Sequence, residues 1–207
     1  MLTIPNILTL LRILLIPVFM VVFYLPVPWA GLGSALVFAI AGLTDWLDGH
    51  LARRWGQTTN LGAFLDPVAD KLMVAVALVL LVQAEPTALL ALPAAIIIGR
   101  EITISALREW MAELGARAKV AVSMVGKVKT TAQMVAIFLL LIQGNPLGLP
   151  VMTTGYVLLY AAALLTLWSM FVYLKAAWPN FYEHHLAETS PTKAVKPDKG
   201  HSPMEKD

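Results

Sequence analysis

Long runs of apolar residues, separated by short polar connectors, cover most of the chain. Six of these runs are long enough to cross a bilayer as helices, because about 20 apolar residues span its hydrocarbon core. Their approximate limits are 7–25, 31–47, 66–83, 88–106, 122–142 and 151–176. The pattern predicts an all-α integral membrane protein with six transmembrane helices. It divides the chain into a membrane domain, residues 1–182, and a polar tail, residues 183–207, which we expect to be disordered.

Polar residues recur at regular spacing where the first apolar run begins. Asn6, Thr9 and Arg12 follow one another every three residues among leucines, so a helix would place them on one face. This spacing predicts an N-terminal amphipathic helix at the membrane interface. The same side chains could instead close over the phosphates of a ligand, and the pattern leaves both interpretations open.

Because Arg12 interrupts the run and a small-residue cleavage site does not follow it, we expect no cleavable signal peptide.

The basic residues are concentrated in alternate connectors between the apolar segments. The connectors near 25–30, 83–87 and 143–150 contain no Lys or Arg, whereas those at 48–65 and 107–121 carry several. Because basic connectors face the cytoplasm, both termini and the two basic connectors are predicted to lie there. An even number of spans agrees with this topology.

The composition narrows the class of protein further. Hydrophobic residues make up 58% of the 207 residues, and the mean hydropathy is +0.74, both far above the values of a soluble domain. Cys is absent, which excludes disulfides, thiolate metal ligands and a cysteine nucleophile. The net charge is only +2, and the basic residues follow the membrane ends, so we expect no nucleic-acid partner.

Four aspartates interrupt the apolar pattern. Asp45, Asp48, Asp66 and Asp70 are the only acidic residues before Glu85. The first two are three residues apart and the last two are four apart, so each pair shares one helix face. Carboxylates beside membrane spans are costly and therefore indicate a functional site. Four of them in one space would suit two divalent cations such as Mg²⁺ or Mn²⁺, which prefer oxygen ligands.

The residues around these aspartates fit a phosphate ligand. Gly49 and Gly62 allow close approach to the backbone, Ala52 is small, and Arg53 can pair with an anionic phosphate. A simpler alternative is that the aspartates only form salt bridges with nearby basic residues. One salt bridge, however, does not require four acids in two helical pairs.

The spacing of these residues resembles the signature of the CDP-alcohol phosphotransferase family. The matching pattern is Asp45-x2-Asp48-Gly49-x2-Ala52-Arg53-x8-Gly62-x3-Asp66-x3-Asp70. The resemblance implies six transmembrane helices, an active site at the cytoplasmic face, two divalent cations and a homodimer. It also implies that the four aspartates hold the cations and that Asp70 acts as the general base. The residues implied to bind the CDP-lipid are Gly49, Ala52, Arg53, Thr59 and Gly62, with Asn6 and Thr9.

Basic residues in the second half of the chain bear on the acceptor. Arg100 and Arg108 are eight residues apart and lie roughly on one side of a helix, and Lys127 and Lys129 follow on the next segment. Together they could form a pocket for a phosphorylated acceptor, while Glu101 would neutralise and orient the arginines. The alternative is that all except Arg100 are anchors whose amino or guanidinium groups extend to the headgroups.

The segments 5–12, 63–71, 99–110 and 125–133 resemble bacterial phosphatidylglycerophosphate synthases, a branch of this family in the cytoplasmic (inner) membrane. That likeness implies transfer of the phosphatidyl group from CDP-diacylglycerol to sn-glycerol 3-phosphate, with release of CMP. It also implies that membrane lipids surround the enzyme. One alternative keeps the reaction and changes the acceptor to inositol phosphate or phosphatidylglycerol. Another, from a different class, is a divalent-cation transporter, which would place its acids nearer the middle of the membrane.

Overall fold

The residues that the structure describes form six α-helices joined by short connections. The computed structural model describes residues 4–55, 60–113, 124–142 and 150–189. The prediction of an all-helical chain is confirmed within these ranges. The helices are α1 (Ile4–Phe23), α2 (Ala30–Trp55), α3 (Asn60–Ala84), α4 (Ala88–Glu113), α5 (Met124–Leu141) and α6 (Val151–Thr189).

Four of the six helices contain a stretch that is long and apolar enough to cross a membrane. By length and composition these stretches are Asn6–Phe23, Ala30–Leu47, Ala88–Met111 and Val151–Lys175. In α5 a shorter apolar part covers Val128–Leu141. The prediction of a membrane protein is therefore supported by four candidate spans, while the total of six and their orientation stay predictions.

Several helices extend beyond the apolar runs that predicted them. The helix α2 continues to Trp55 and α3 begins at Asn60, so most of the residues predicted to form a connector over 48–65 are helical. That prediction was wrong because hydropathy marks only the part of a helix suited to hydrocarbon, whereas backbone hydrogen bonds continue through polar residues. For the same reason α6 continues through residues 183–189 of the predicted tail. Residues 190–207 lie outside the described residues.

The two terminal helices organise the packing. The helix α1 packs against α2 and α3, and α6 packs against α4 and α5, while α2 and α3 contact the second half mainly through α5 and α4. Fully buried apolar side chains fill the centre, including Phe19, Phe38, Leu78, Ile97 and Ile137. The helices α5 and α6 approach closely at a glycine, where a Cβ on Gly155 would lie 2.9 Å from Leu140 Cγ.

Large apolar side chains also cover the outside of the bundle. Leu14, Val21, Ile102, Leu164 and Trp168 are all more than half exposed. A soluble monomer rarely exposes so much apolar surface, and lipid tails would cover it without cost. The exterior is therefore consistent with a membrane environment.

Candidate active site

The aspartates meet a buried arginine of α1. Asp45 lies in the second half of α2 and Asp70 in the first half of α3. Arg12 Nη1 is 3.0 Å from Asp45 Oδ1 and also pairs with Asp70 Oδ1. The Arg12 side chain is 1% exposed. One guanidinium nitrogen thus joins carboxylates from two other helices.

The polar face of α1 lies against this acidic cluster. Thr9 Oγ1 donates a hydrogen bond of 2.5 Å to Asp66 Oδ1. Asn6, Thr9 and Arg12 are all buried, although the apolar residues between them are largely exposed. Of the two interpretations that the sequence left open, this arrangement favours residues that close over a ligand site. The interfacial position of the helix stays a prediction.

Other residues predicted for the nucleotide site lie close to the aspartates along the chain. Asp48, Gly49, Ala52 and Arg53 belong to the last turns of α2, but their side chains lie outside the described part of the structure. Gly62 is buried in the first turn of α3. Thr59 lies between the two helices, outside the described residues, so the predicted roles of these side chains stay predictions.

The donor chemistry of the cluster fits divalent cations, although the described side chains do not form a finished metal site. Asp45, Asp66 and Asp70 supply only hard oxygen ligands, as Mg²⁺ and Mn²⁺ require. Among the side chains that the structure describes, no three acidic or imidazole groups are grouped so that they could hold one ion. Arg12 and Thr9 instead contact oxygens of all three carboxylates. A buried guanidinium held there indicates that the site stabilises positive charge.

A second polar cluster joins α4 and α5. Arg100 Nη1 donates to Glu101 Oε1 at 2.5 Å, and Lys129 Nζ lies 3.3 Å from the same oxygen. The structure therefore brings together two of the four residues predicted for the acceptor phosphate. The Lys129 side chain is 4% exposed, so it does not extend to the headgroups. One carboxylate between two cations leaves a net positive charge.

Arg108 lies on an aromatic ring of α6. Its Nη2 donates a hydrogen bond of 2.9 Å to Tyr173 Oη, and its Cζ is 5.2 Å from the centroid of the same ring. This side chain is exposed, unlike that of Arg100. Lys127 belongs to the first turn of α5, and its side chain lies outside the described part.

Sequence reasoning missed the contribution of α6. Ser169 accepts a hydrogen bond from Arg100 Nη2 at 3.3 Å, and Tyr173 accepts one from Arg108. A signal was present, since Thr166, Ser169 and Tyr173 are three and four residues apart in a strongly apolar segment. That spacing places three polar groups on one helix face.

Comparison with known proteins agrees with this picture. Residues 2–168 match the CDP-alcohol phosphatidyltransferase family. The CDP-diacylglycerol–glycerol-3-phosphate 3-phosphatidyltransferase of Salmonella typhimurium is 60% identical over 174 residues, which are 84% of this chain and 94% of that protein. A protein of the same name from Escherichia coli is 59% identical over 174 residues, again 84% and 94% of the two chains. The one from Sodalis glossinidius is 57% identical over 183 residues, 88% of this chain and 99% of that protein.

The family match covers most of the helical part of the chain and includes both polar clusters as far as residue 168. It agrees with the resemblance that the spacing of the four aspartates indicated. The chain belongs to the CDP-alcohol phosphatidyltransferase family.

Proposed function

We propose that this protein transfers the phosphatidyl group from CDP-diacylglycerol to sn-glycerol 3-phosphate, producing phosphatidylglycerophosphate and CMP. The observation that carries this proposal is the identity of about 60%, over 94% of their length, with proteins named for that reaction. The two polar clusters agree with it, since one is acidic and can bind cations while the other is basic and can bind a phosphorylated acceptor. The product places the enzyme in phospholipid biosynthesis.

The protein works in the bacterial cytoplasmic (inner) membrane, with six spans and with both termini and the active site on the cytoplasmic side. Supporting this location are the four candidate spans, the basic connectors, and the bacterial origin of the three relatives named above. Residues 1–182 form the membrane domain and 183–207 a tail without a role in the reaction. A homodimer is expected from the family resemblance.

The four aspartates Asp45, Asp48, Asp66 and Asp70 would hold two Mg²⁺ or Mn²⁺ ions. When bound, such ions neutralise charge on the diphosphate and on the departing CMP. Side chains of α1 hold the site in place, because Thr9 and Arg12 contact three of the four carboxylates directly.

Asp70 acts as the general base of the transfer. Its carboxylate accepts the proton of the acceptor hydroxyl while that oxygen forms a bond to the β-phosphorus of the CDP-lipid. The bond between the β-phosphorus and the oxygen bridging to CMP then breaks, and CMP leaves with that oxygen. A single displacement of this kind needs no covalent enzyme intermediate.

The two substrates occupy different ends of the polar region. The nucleotide and its phosphates contact Gly49, Ala52, Arg53, Thr59 and Gly62, and Asn6 and Thr9 close the site from α1. The phosphate of the acceptor binds the basic cluster, which comprises Arg100, Arg108, Lys127 and Lys129. Supporting this division, Arg100 and Lys129 meet at a single carboxylate between α4 and α5.

One assay tests the reaction and the acceptor together. Purified protein in mixed micelles would receive CDP-diacylglycerol, Mg²⁺ or Mn²⁺, and one acceptor at a time: glycerol 3-phosphate, inositol phosphate or phosphatidylglycerol. We expect CMP release only with glycerol 3-phosphate. Release only with another acceptor would refute the proposed substrate, and no release with any of them would favour the transporter alternative.

The acceptor site is tested by changing its most buried arginine. Arg100→Ala should raise the KM for glycerol 3-phosphate at least about tenfold, because hydrogen bonds to charged groups are among the stronger ones. The KM for CDP-diacylglycerol should change little. An equal rise for both substrates would remove Arg100 from the acceptor site.

A further inference from the structure

The polar face of α6 approaches the basic cluster and has no role in the reaction as described so far. Its members are Thr166, Ser169 and Tyr173. Both arginines predicted for the acceptor phosphate donate to this face, Arg100 to Ser169 and Arg108 to Tyr173. The helices α4 and α6 pack against each other, so these contacts join two neighbouring helices along their length.

We propose that Ser169 and Tyr173 are positioning residues of the acceptor site, which hold the guanidinium groups of Arg100 and Arg108 at the acceptor phosphate. The inference rests on the proposed function and extends it to a helix that supplies none of the predicted substrate-binding residues. It adds residues of α6 to those of α4 and α5 that are proposed to bind the acceptor phosphate.

The hydrogen-bond directions at Ser169 support this role. Its hydroxyl donates to the carbonyl of Thr166 at 2.9 Å. The serine has only one hydrogen to donate, so its oxygen is left as an acceptor for the Arg100 guanidinium. Ser169 therefore orients the arginine as a hydrogen-bond acceptor, while its own hydrogen stays on the Thr166 carbonyl.

Tyr173 holds its arginine in two ways. The phenol oxygen accepts a hydrogen bond from Arg108, and the ring lies under the guanidinium at a distance suited to a cation–π contact. The two contacts restrain both the position and the plane of the guanidinium, so Tyr173 acts through Arg108 and not on the phosphate itself.

Two buried polar atoms on the packed helices α4 and α6 have no hydrogen-bond partner among the described residues. They are Arg100 Nε and Thr166 Oγ1. Buried polar groups are nearly always paired, so unpaired ones require an explanation such as a ligand or a water molecule. A bound acceptor phosphate and its water molecules would provide such partners.

The test measures two Michaelis constants in purified protein with its divalent cation present. Ser169→Ala removes the hydrogen bond from Arg100 together with the serine's own bond to the Thr166 carbonyl. Tyr173→Phe removes the hydrogen bond from Arg108, and both variants keep most of the side-chain volume. Each should raise the KM for glycerol 3-phosphate about three- to tenfold, because an arginine released from its partner samples more conformations. The KM for CDP-diacylglycerol should stay within about twofold. Ser169→Thr, which keeps the hydroxyl, should restore most of the affinity.

Matched controls separate positioning from general destabilisation. Ser34→Ala removes a buried serine that donates to the carbonyl of Ala30 four residues before it. Tyr160→Phe removes a phenol of α6 that donates to the carbonyl of Leu89. Both controls lose a hydrogen bond far from the basic cluster, so the KM for glycerol 3-phosphate should not change.

A second measurement uses a competitor that cannot react. Inorganic phosphate should compete with glycerol 3-phosphate, and its inhibition constant should rise in Ser169→Ala and Tyr173→Phe by a factor similar to the KM. The proposed role of α6 would be overturned if the KM for glycerol 3-phosphate and the inhibition constant of phosphate did not change in these variants. It would also be overturned if the KM values for both substrates rose equally. If the wild-type protein released no CMP with glycerol 3-phosphate, the proposed function would fail instead.

Discussion

Removing the charge of Arg12 should destabilise the protein when divalent cations are absent. In Arg12→Gln the carboxylates of Asp45 and Asp70 lose the guanidinium that joins them. Two like charges then remain near each other without a cation between them. A divalent cation bound by the aspartates would restore the missing positive charge, so the effect should depend on the metal.

The exposure of the groups sets the size of the effect. Removing one member of a buried ion pair costs about 3–5 kcal/mol, whereas an exposed pair contributes about 0–1 kcal/mol. Arg12 is 1% exposed, but its partners Asp45 and Asp70 are 45% and 44% exposed. An intermediate loss of about 2 kcal/mol follows, since water screens the carboxylates that remain. For a chain of this length that corresponds to a fall in Tm of about 4–8 °C.

Thermal unfolding of the detergent-purified protein, followed by tryptophan fluorescence, provides the assay. In EDTA the variant should unfold at a lower temperature than the wild type. Addition of Mg²⁺ or Mn²⁺ should raise the Tm of the variant more than that of the wild type, because cation binding to the native state stabilises it and no longer has to displace the guanidinium.

Arg108→Gln is the matched control, since it removes the same charge from an exposed arginine outside the acidic cluster. It should change Tm by less than about 2 °C and should leave the response to metal unchanged. Equal Tm values for wild type and Arg12→Gln in EDTA, together with equal gains from the metal, would show that Arg12 does not act as the internal cation of the site.

Three further predictions address the base, the basic cluster and the packing. Asp70→Asn should lower kcat for CMP release at least about 100-fold, while equilibrium binding of the CDP-lipid largely survives; abolished binding would mean that Asp70 mainly holds metal. Lys129→Met should raise the KM for glycerol 3-phosphate about tenfold without affecting that for CDP-diacylglycerol, and a kcat effect alone would contradict this. Gly155→Ala should lower the free energy of unfolding by about 1–3 kcal/mol, because its Cβ would overlap Leu140. Gly99→Ala, where a Cβ meets open space, should be neutral or stabilising by up to about 1 kcal/mol, and similar losses in both variants would refute the packing argument.

The sequence predicted those features that depend on local spacing. The acidic pairs were recognisable because carboxylates at i, i+3 and i, i+4 share a helix face whatever the tertiary structure. The helical class followed from the apolar runs. The end of α2 did not, because the largely polar residues 48–55 continue the helix without the hydropathy that marks a span. The beginning of α3 did not either, because the short stretch 60–65 is followed by the charged residues Asp66, Asp70 and Lys71.

The partners of each polar side chain could not be predicted in the same way. Arg12 was recognisable as a member of a polar face, but its contacts with Asp45 and Asp70 depend on the rotation and depth at which α1 packs on α2 and α3. The contact of Arg100 with Ser169 likewise depends on how α4 and α6 pack. Periodicity identifies the face of a helix but not the helix that the face will meet.

The ion pairs described above divide between the two halves of the bundle. Those of Arg12 lie among α1, α2 and α3, and those of Glu101 lie between α4 and α5. The proposed nucleotide site and the proposed acceptor site therefore lie in different halves, which can diverge separately during evolution. A new alcohol could be accepted through changes in the second half alone, with the acidic half left intact. Chimeras that exchange α4–α6 between relatives with different acceptors should accordingly inherit the acceptor of the second half.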